Sequence, residues 1–214
     1  MTEYLTEQEQ IEILKSWIKQ YSVVILAGVV IAVVAITGWR YWQQRQERIL
    51  THASSVYDEM LTNRAQNDPA ATYIQAKKLF THYPQTTYGK MAAFMLARAE
   101  ITKRNYPEAE KYLQWILDHS NLAPFRQIAK LRLARVQIAG EKPKAALDTL
   151  SNIEDKSFNG LTEEVRGDAY LAMNNPQKAR ESYKQALADL PNAEVIRPLL
   201  QMKYDNLTTI NQAS

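Results

Sequence analysis

The stretch that most constrains this chain is YSVVILAGVVIAVVAITGWRYW, residues 21–42. From Val23 to Ile36 it contains no polar residue, and Thr37 and Gly38 interrupt it only slightly before Trp39. A helix crossing the hydrocarbon core of a bilayer needs roughly 20 predominantly apolar residues, with about 17 at the lower limit. Val23 to Trp39 reaches that limit, and Tyr21 and Tyr41 extend it into the headgroup zones. Trp39, Tyr41 and Trp42 supply an interfacial aromatic girdle, with Arg40 placed to snorkel. A signal peptide would begin with basic residues and end in an A-x-A-like cleavage site. Here Glu3, Glu7, Glu9 and Glu12 outnumber Lys15 and Lys19, and no clean A-x-A follows. Residues 21–42 are therefore expected to be an uncleaved transmembrane anchor.

The flanking charges orient it weakly. Lys15 and Lys19 precede the span, while Arg40, Arg45 and Arg48 follow it, a tilt of one cation towards a cytoplasmic C-terminal domain. Large domains, however, translocate largely regardless of flanking charge. Gly28, Ala32 and Ala35 recur at i, i+4 and i+7, which offers a small-residue face to another helix. Small residues are also simply common in membrane helices. Ahead of the span, Thr6-x-x-Glu9 reads as a capping box. Ile11, Leu14, Ile18 and Tyr21 then share one helical face, with Trp17 beside them. Residues 1–20 are thus an amphipathic helix lying in the interface, or one that merely continues the anchor.

The rest of the chain must be polar, because mean hydropathy is −0.40 in spite of the apolar run. Net charge is +3 over 214 residues, and no cluster of cations gives the footprint of a nucleic-acid-binding protein. The absence of cysteine excludes disulfides, thiol catalysis and Cys-ligated zinc. No phosphate loop, H-E-x-x-H, G-x-S-x-G or paired metal ligands occur. His52, His82 and His119 are scattered without partners at ligand spacing. The expectation is a non-enzymatic protein with no cofactor and no catalytic or metal residues.

After the anchor the sequence repeats itself. Small residues recur at Ala97, Ala134 and Gly167; Ala109, Ala146 and Ala179 follow, then Leu113, Leu150 and Tyr183, then Ile116, Ile153 and Ala186. Each unit reads as helix, polar break, helix. The breaks Lys103–Pro107, Gly140–Pro143 and Asn174–Pro176 each carry a proline suited to the first turn of the next helix. A helix pair of about 34 residues with small residues at the crossing is the tetratricopeptide pattern. Gly167, Tyr170, Ala179, Tyr183, Ala186 and Pro191 match it best. Upstream, Tyr73 to Pro84 reads as the second helix of a degenerate leading unit, with Ala76 aligned to Ala109. Asn67-Asp68-Pro69 breaks the helix that leaves the membrane, and RPLLQMKYDNL reads as a terminal helix covering the last repeat.

The predicted architecture is all-α: a single N-terminal transmembrane helix, then a tetratricopeptide-like helical-repeat solenoid with a C-terminal capping helix. The segments are 1–20 (amphipathic), 21–42 (anchor), 43–69 (helical connector), 70–207 (repeats) and 208–214 (tail). Such solenoids bind partners on a concave surface made by the first helix of each unit. That geometry assigns Met91, Phe94, Arg98 and Ile101 from one unit, and Ile128, Leu131, Arg135 and Ile138 from the next. Leu161, Glu164, Asp168 and Leu171 follow from the third. Apolar side chains interleaved with Arg98 and Arg135 would suit an extended peptide carrying carboxylates. The alternative pairs Arg135 with Asp168 across the repeat junction.

Taken together, the acidic amphipathic N-terminus, the anchor ending GWRYW, LRLARVQIAGEKPKAALDTL, RGDAYLAMNNPQKARESYKQAL and QMKYDNL resemble the YfgM family over nearly the whole chain. The resemblance implies an inner-membrane protein with a cytoplasmic N-terminus and a periplasmic repeat domain, against the tilt of the charge count. It implies association with the SecYEG translocon, with a membrane-anchored periplasmic prolyl-isomerase-like chaperone, and with exported polypeptides. A link to a stress-response regulator is also implied, so the alternative function is a membrane-anchored scaffold that sequesters a stress-signalling protein.

Overall fold

The structure is a computed structural model and describes residues 7–151, 153, 155–190 and 194–210. Thr6, Pro191 and the tail beyond residue 210 lie outside the described residues, and with them the capping box and one position of the repeat signature. The elements are α1 (Glu7–Ala65), α2 (Pro69–His82), α3 (Thr87–Thr102), α4 (Tyr106–His119) and α5 (Ala123–Ala139). Next come α6 (Pro143–Ser151), a 3-10 turn at Lys156–Phe158, α7 (Asn159–Ala172), α8 (Pro176–Asp189) and α9 (Arg197–Ile210). There are no strands among the described residues. The chain divides into two compact units between His52 and Ala53.

The first unit is the earlier part of α1. Its large apolar side chains face outwards, with Val23 77% and Ile31 69% exposed. A helix that is apolar all round is stable only against other apolar groups, in a core or in lipid. Among the described residues, α1 is the helix long and apolar enough to cross a membrane. Trp39 and Trp42 pair at 5.4 Å, and a Cβ added at Gly28 would meet nothing within 4 Å.

The second unit is a stack of helix pairs, and one turn geometry recurs through it. Asn67, Arg104, Glu141 and Asn174 all adopt left-handed backbone conformations, with φ between 58 and 61°. In each case the next amide reaches back to the first helix: Asp68 N to Asn63 O, Asn105 N to Glu100 O, Lys142 N to Gln137 O and Asn175 N to Tyr170 O, at 2.7–2.9 Å. This satisfies carbonyls that the helix end would leave unpaired. The second helix then starts on Pro69, on Tyr106-Pro107, on Pro143 or on Pro176. Proline fits there because its missing N–H would have no partner in the first turn. Asp68 and Asn175 add side-chain caps on the amides of Ala71 and Lys178.

Counting from that turn aligns four pairs: the end of α1 with α2, α3 with α4, α5 with α6, and α7 with α8. The leading pair differs from expectation in two ways. Residues 53–65, expected in the connector, are its first helix, because Ala53, Val56 and Met60 are buried in the core shared with Leu79, Leu96 and Leu113. Gln75 donates to Glu59 at 2.8 Å, and the rings of Tyr57 and Tyr88 lie 5.2 Å apart. In addition, the residue equivalent to Ala109 is Thr72, not Ala76. Ala76 stands where Leu113, Leu150 and Tyr183 stand, one helical turn later.

The crossing positions explain this shift. Ala97, Ala134 and Gly167 face bulky Leu113, Leu150 and Tyr183 in the second helix of each pair, and all six are buried or have no side chain. In the leading pair the sizes are exchanged, with Met60 in the first helix and Ala76 in the second, both 1% exposed. Dense interiors require that summed volume be kept, not the placement of the larger residue. At the other end, α9 buries Leu200 and Leu207 against Ala179, Tyr183 and Ala186. Arg197 also donates to the carbonyls of Leu187 and Leu190 at the end of α8. This is the terminal helix expected to cover the last repeat.

Candidate functional site

The first helices of the first three pairs line a groove with a hollow of about 500 Å³ between the end of α1, α3, α4 and α5. Its apolar lining includes Phe94, Met95, Ile101, Leu113 and Val136. Its polar lining is cationic: Arg64, Arg98, Arg132 and Arg135. No Asp or Glu lines it among the described residues. A smaller hollow of about 300 Å³, running towards α2, shares Arg64, Met95 and Arg98 with it.

Local contacts position two of these guanidiniums. Arg132 lies over the ring of Phe94, with its central carbon 4.6 Å from the ring centre, and Phe94 in turn packs 5.9 Å from Phe125. Burial, followed by the nearby charges of Arg135 and Arg98, pulls the Arg132 guanidinium below its ordinary pKa. Arg64 points at the thioether of Met95, at 3.7 Å. Among the described residues neither Arg98 nor Arg132 makes an ion pair.

Beyond Arg135 the charge pattern reverses and closes on itself. Arg135 on α5 donates to Glu164 on α7 at 3.0 Å, so its partner is Glu164 and not Asp168. Asp168 is taken instead by Lys203 on α9, which donates to both of its oxygens at 2.8 and 2.9 Å and to Glu164 at 2.9 Å. Burial alone would lower the Lys203 ammonium, but the bonds to Asp168 and Glu164 reverse this, and its pKa rises. The hydroxyl of Tyr183 donates to Asp168 at 2.7 Å. Burial, reinforced by that bond, raises its pKa strongly.

The expected surface residues therefore divide. Phe94, Arg98, Ile101 and Arg135 come together in the groove. Met91, Ile128 and Ile138 are half-buried on the same two helices, Leu161 is half-buried on α7, and Leu171 is exposed. Leu131 is not surface at all: it is 4% exposed and packs with Ala134, Leu150 and Val165 between α5, α6 and α7. Glu164 and Asp168 carry the ionic lock to α9. Gly28, Ala32 and Ala35 lie in the first unit, exposed along α1.

Sequence reasoning missed Arg64 and Arg132. Arg64 stands three residues before its left-handed turn residue, where the other pairs have Ile101, Ile138 and Leu171. It comes into view only once residues 53–65 are included in the repeat. Arg132 lies one helical turn before Arg135, a spacing that places both on one face.

The arrangement can hold an anion and an apolar group side by side. The chain matches the tetratricopeptide repeat-like domain family over residues 15–209. It is 30% identical to a protein named ancillary SecYEG translocon subunit from Escherichia coli, over 96% of this chain and 98% of that one. It is 31% identical to the protein of the same name from Neisseria gonorrhoeae, over 97% of this chain and 100% of that one. Among solved structures it is similar in fold to MamA of Desulfovibrio magneticus, with a TM-score of 0.55 at 14% identity over 76% of this chain and 96% of that one. On the strength of these full-length matches and the repeat fold, the chain belongs to the YfgM family, whose members are the ancillary SecYEG translocon subunits.

Proposed function

We propose that this protein is a non-enzymatic inner-membrane adaptor beside the SecYEG translocon. Residues 21–42 anchor it with the N-terminus in the cytoplasm and the repeat unit in the periplasm. There the unit brings exported polypeptides together with a membrane-anchored prolyl-isomerase-like chaperone. The observation that carries this reading is the pairing, in one chain, of an outward-facing apolar helix with a helical-repeat unit that presents a groove. End-to-end similarity to proteins named for the translocon supplies the channel.

The mechanism is tethering. Two modules confined to the same patch of membrane meet at an effective concentration set by the linker, on the order of millimolar for short flexible connections. Weak contacts with exported chains then suffice, and weak contacts also allow release.

Protease added to intact spheroplasts tests the arrangement. Digestion of the repeat unit from outside supports the adaptor. Protection until lysis would put the unit in the cytoplasm and sink the translocon-exit mechanism. Crosslinking from Phe94 and Arg135 in native membranes identifies the partners; translocon subunits, chaperones or exported chains are expected. A stress-signalling protein recovered alone would favour the scaffold alternative.

A further inference from the structure

Several surface charges of the unit are matched in ion pairs, among them Lys111–Glu108, Lys142–Glu110 and Arg166–Glu163. The groove differs in gathering four arginines around one hollow. Arg98 and Arg132 make no ion pair among the described residues, Arg64 faces a thioether, and no carboxylate lines the larger hollow, while Asp68, which caps α2, borders the smaller one. The cations converge from three helices onto a floor that includes Phe94 and Ile101, and Ile101 remains 37% exposed. Arg135 closes the far side, held by Glu164.

We propose that this groove binds an extended acidic segment of another polypeptide, with at least two side-chain carboxylates flanking one large apolar residue. The proposal deepens the adaptor reading and rests on it for the partner being a polypeptide. Charge complementarity selects the occupant. Guanidiniums drawn from α1, α3 and α5 are too many for one terminal carboxylate, whereas an extended acidic chain presents alternate side chains to both walls. Planar, forked donors suit carboxylates because two parallel N–H bonds can form to one group. The apolar residue between them would rest on Phe94 and Ile101, excluding water and strengthening the charged bonds beside it. The ionic lock to α9 marks where the site ends. Lys203 and Arg135 already satisfy Glu164 and Asp168, so the acidic part of the surface offers no second cation site for the segment to follow. Burial and the two neighbouring arginines disfavour the charged form of Arg132, and an incoming carboxylate relieves that penalty.

The test uses the full chain in detergent micelles and a fluorescein-labelled Asp/Glu-rich peptide with a central Leu, followed by anisotropy. Replacing its acids by Asn and Gln is expected to weaken binding by about tenfold or more, as loss of a charged hydrogen bond implies. Amidating only its C-terminus is expected to change nothing. Arg98→Ala and Arg132→Ala are each expected to weaken it by about tenfold, and added salt to weaken it further. Equal affinity for the Asn/Gln peptide would overturn the proposal, and this comparison needs no variant to fold. Loss of binding on amidation alone would also overturn it, in favour of a terminal carboxylate. So would arginine-dependent binding to phosphatidylglycerol vesicles without peptide binding. Translocon crosslinks with no peptide binding would remove this proposal and leave the adaptor standing. Peptide binding by a unit found in the cytoplasm would do the reverse.

Discussion

A Cβ at Gly167 would overlap the ring of Tyr183, which lies on the α7 backbone with its hydroxyl bonded to Asp168. The same crossing is made by Ala97 with Leu113 and by Ala134 with Leu150, so each pair holds a smaller and a larger partner matched in total volume.

Gly167→Ala is therefore expected to destabilise the repeat unit by about 1–3 kcal/mol through overpacking, although Ala is otherwise the better helix former. Combining it with Tyr183→Leu recreates the combination used by the other two pairs. The double variant is expected to lose less than the sum of the single losses. Chemical denaturation of the three variants in detergent, read as a coupling energy, checks this. Strict additivity would mean that the ring and the glycine do not share space.

Glu164 holds two cations from different helices while its own side chain is 8% exposed. Glu164→Gln is expected to cost about 1–3 kcal/mol, because Arg135 and Lys203 lose a shared charged acceptor. Arg135→Gln is expected to cost less, since Arg135 is 47% exposed and Lys203 still serves Glu164. Denaturation midpoints rank the two, and a larger loss for Arg135→Gln would contradict the geometry.

Arg104 sits at φ 59° without being a glycine. Its side chain is exposed, so Arg104→Gly removes a steric cost and little packing. The variant is expected to gain roughly 0.5–1 kcal/mol, less what the unfolded chain gains in freedom. Arg104→Val is expected to lose stability, since a β-branched residue tolerates this conformation least. Thermal melts of the pair give the sign directly.

Glu100 supplies the pH dependence. The bond from Lys103 lowers its carboxyl pKa, burial opposes this, and the bond from Asn105 lowers it further. A depressed folded pKa means that the stability it adds is fully present above the unfolded value, about 4.3. That share is lost as pH falls through the folded value. Midpoints measured from about pH 6 down to about pH 3 should fall, and Glu100→Gln should flatten part of that fall. An unchanged slope in the variant would remove Glu100 from the account.

The legible parts of the fold were those written in residue size. Gly167 with Tyr183, the proline-led second helices and the terminal helix all follow from the sequence, because each is a local rule with a distinct residue type. The leading pair was not legible in full. Its crossing carries Met60 where the pattern calls for a small residue, and its first helix runs on without a break from the apolar segment. The groove was half legible. Arg98 and Arg135 lie on the repeat period, but Arg64 replaces an apolar residue and Arg132 recurs in no other pair. Leu131 was misplaced because periodicity assigns a face of α5 without showing that α7 covers it. The partner of Arg135 could not be read either, since it depends on Lys203, far along the chain, taking Asp168.

The left-handed turn inside every pair has a consequence for how this scaffold tolerates change. Asn, Arg, Glu and Asn fill that position, so its chemistry is free while its geometry is fixed. Differences in length fall elsewhere, in the nine-residue α6, in the first helices of 16, 17 and 14 residues, and in the links that join one pair to the next. A residue inserted inside a first helix would rotate everything beyond it by about 100° and break the row of arginines. The same insertion between pairs would be absorbed as slack. The groove thus keeps its reading frame wherever a change of length is confined to the seams between units.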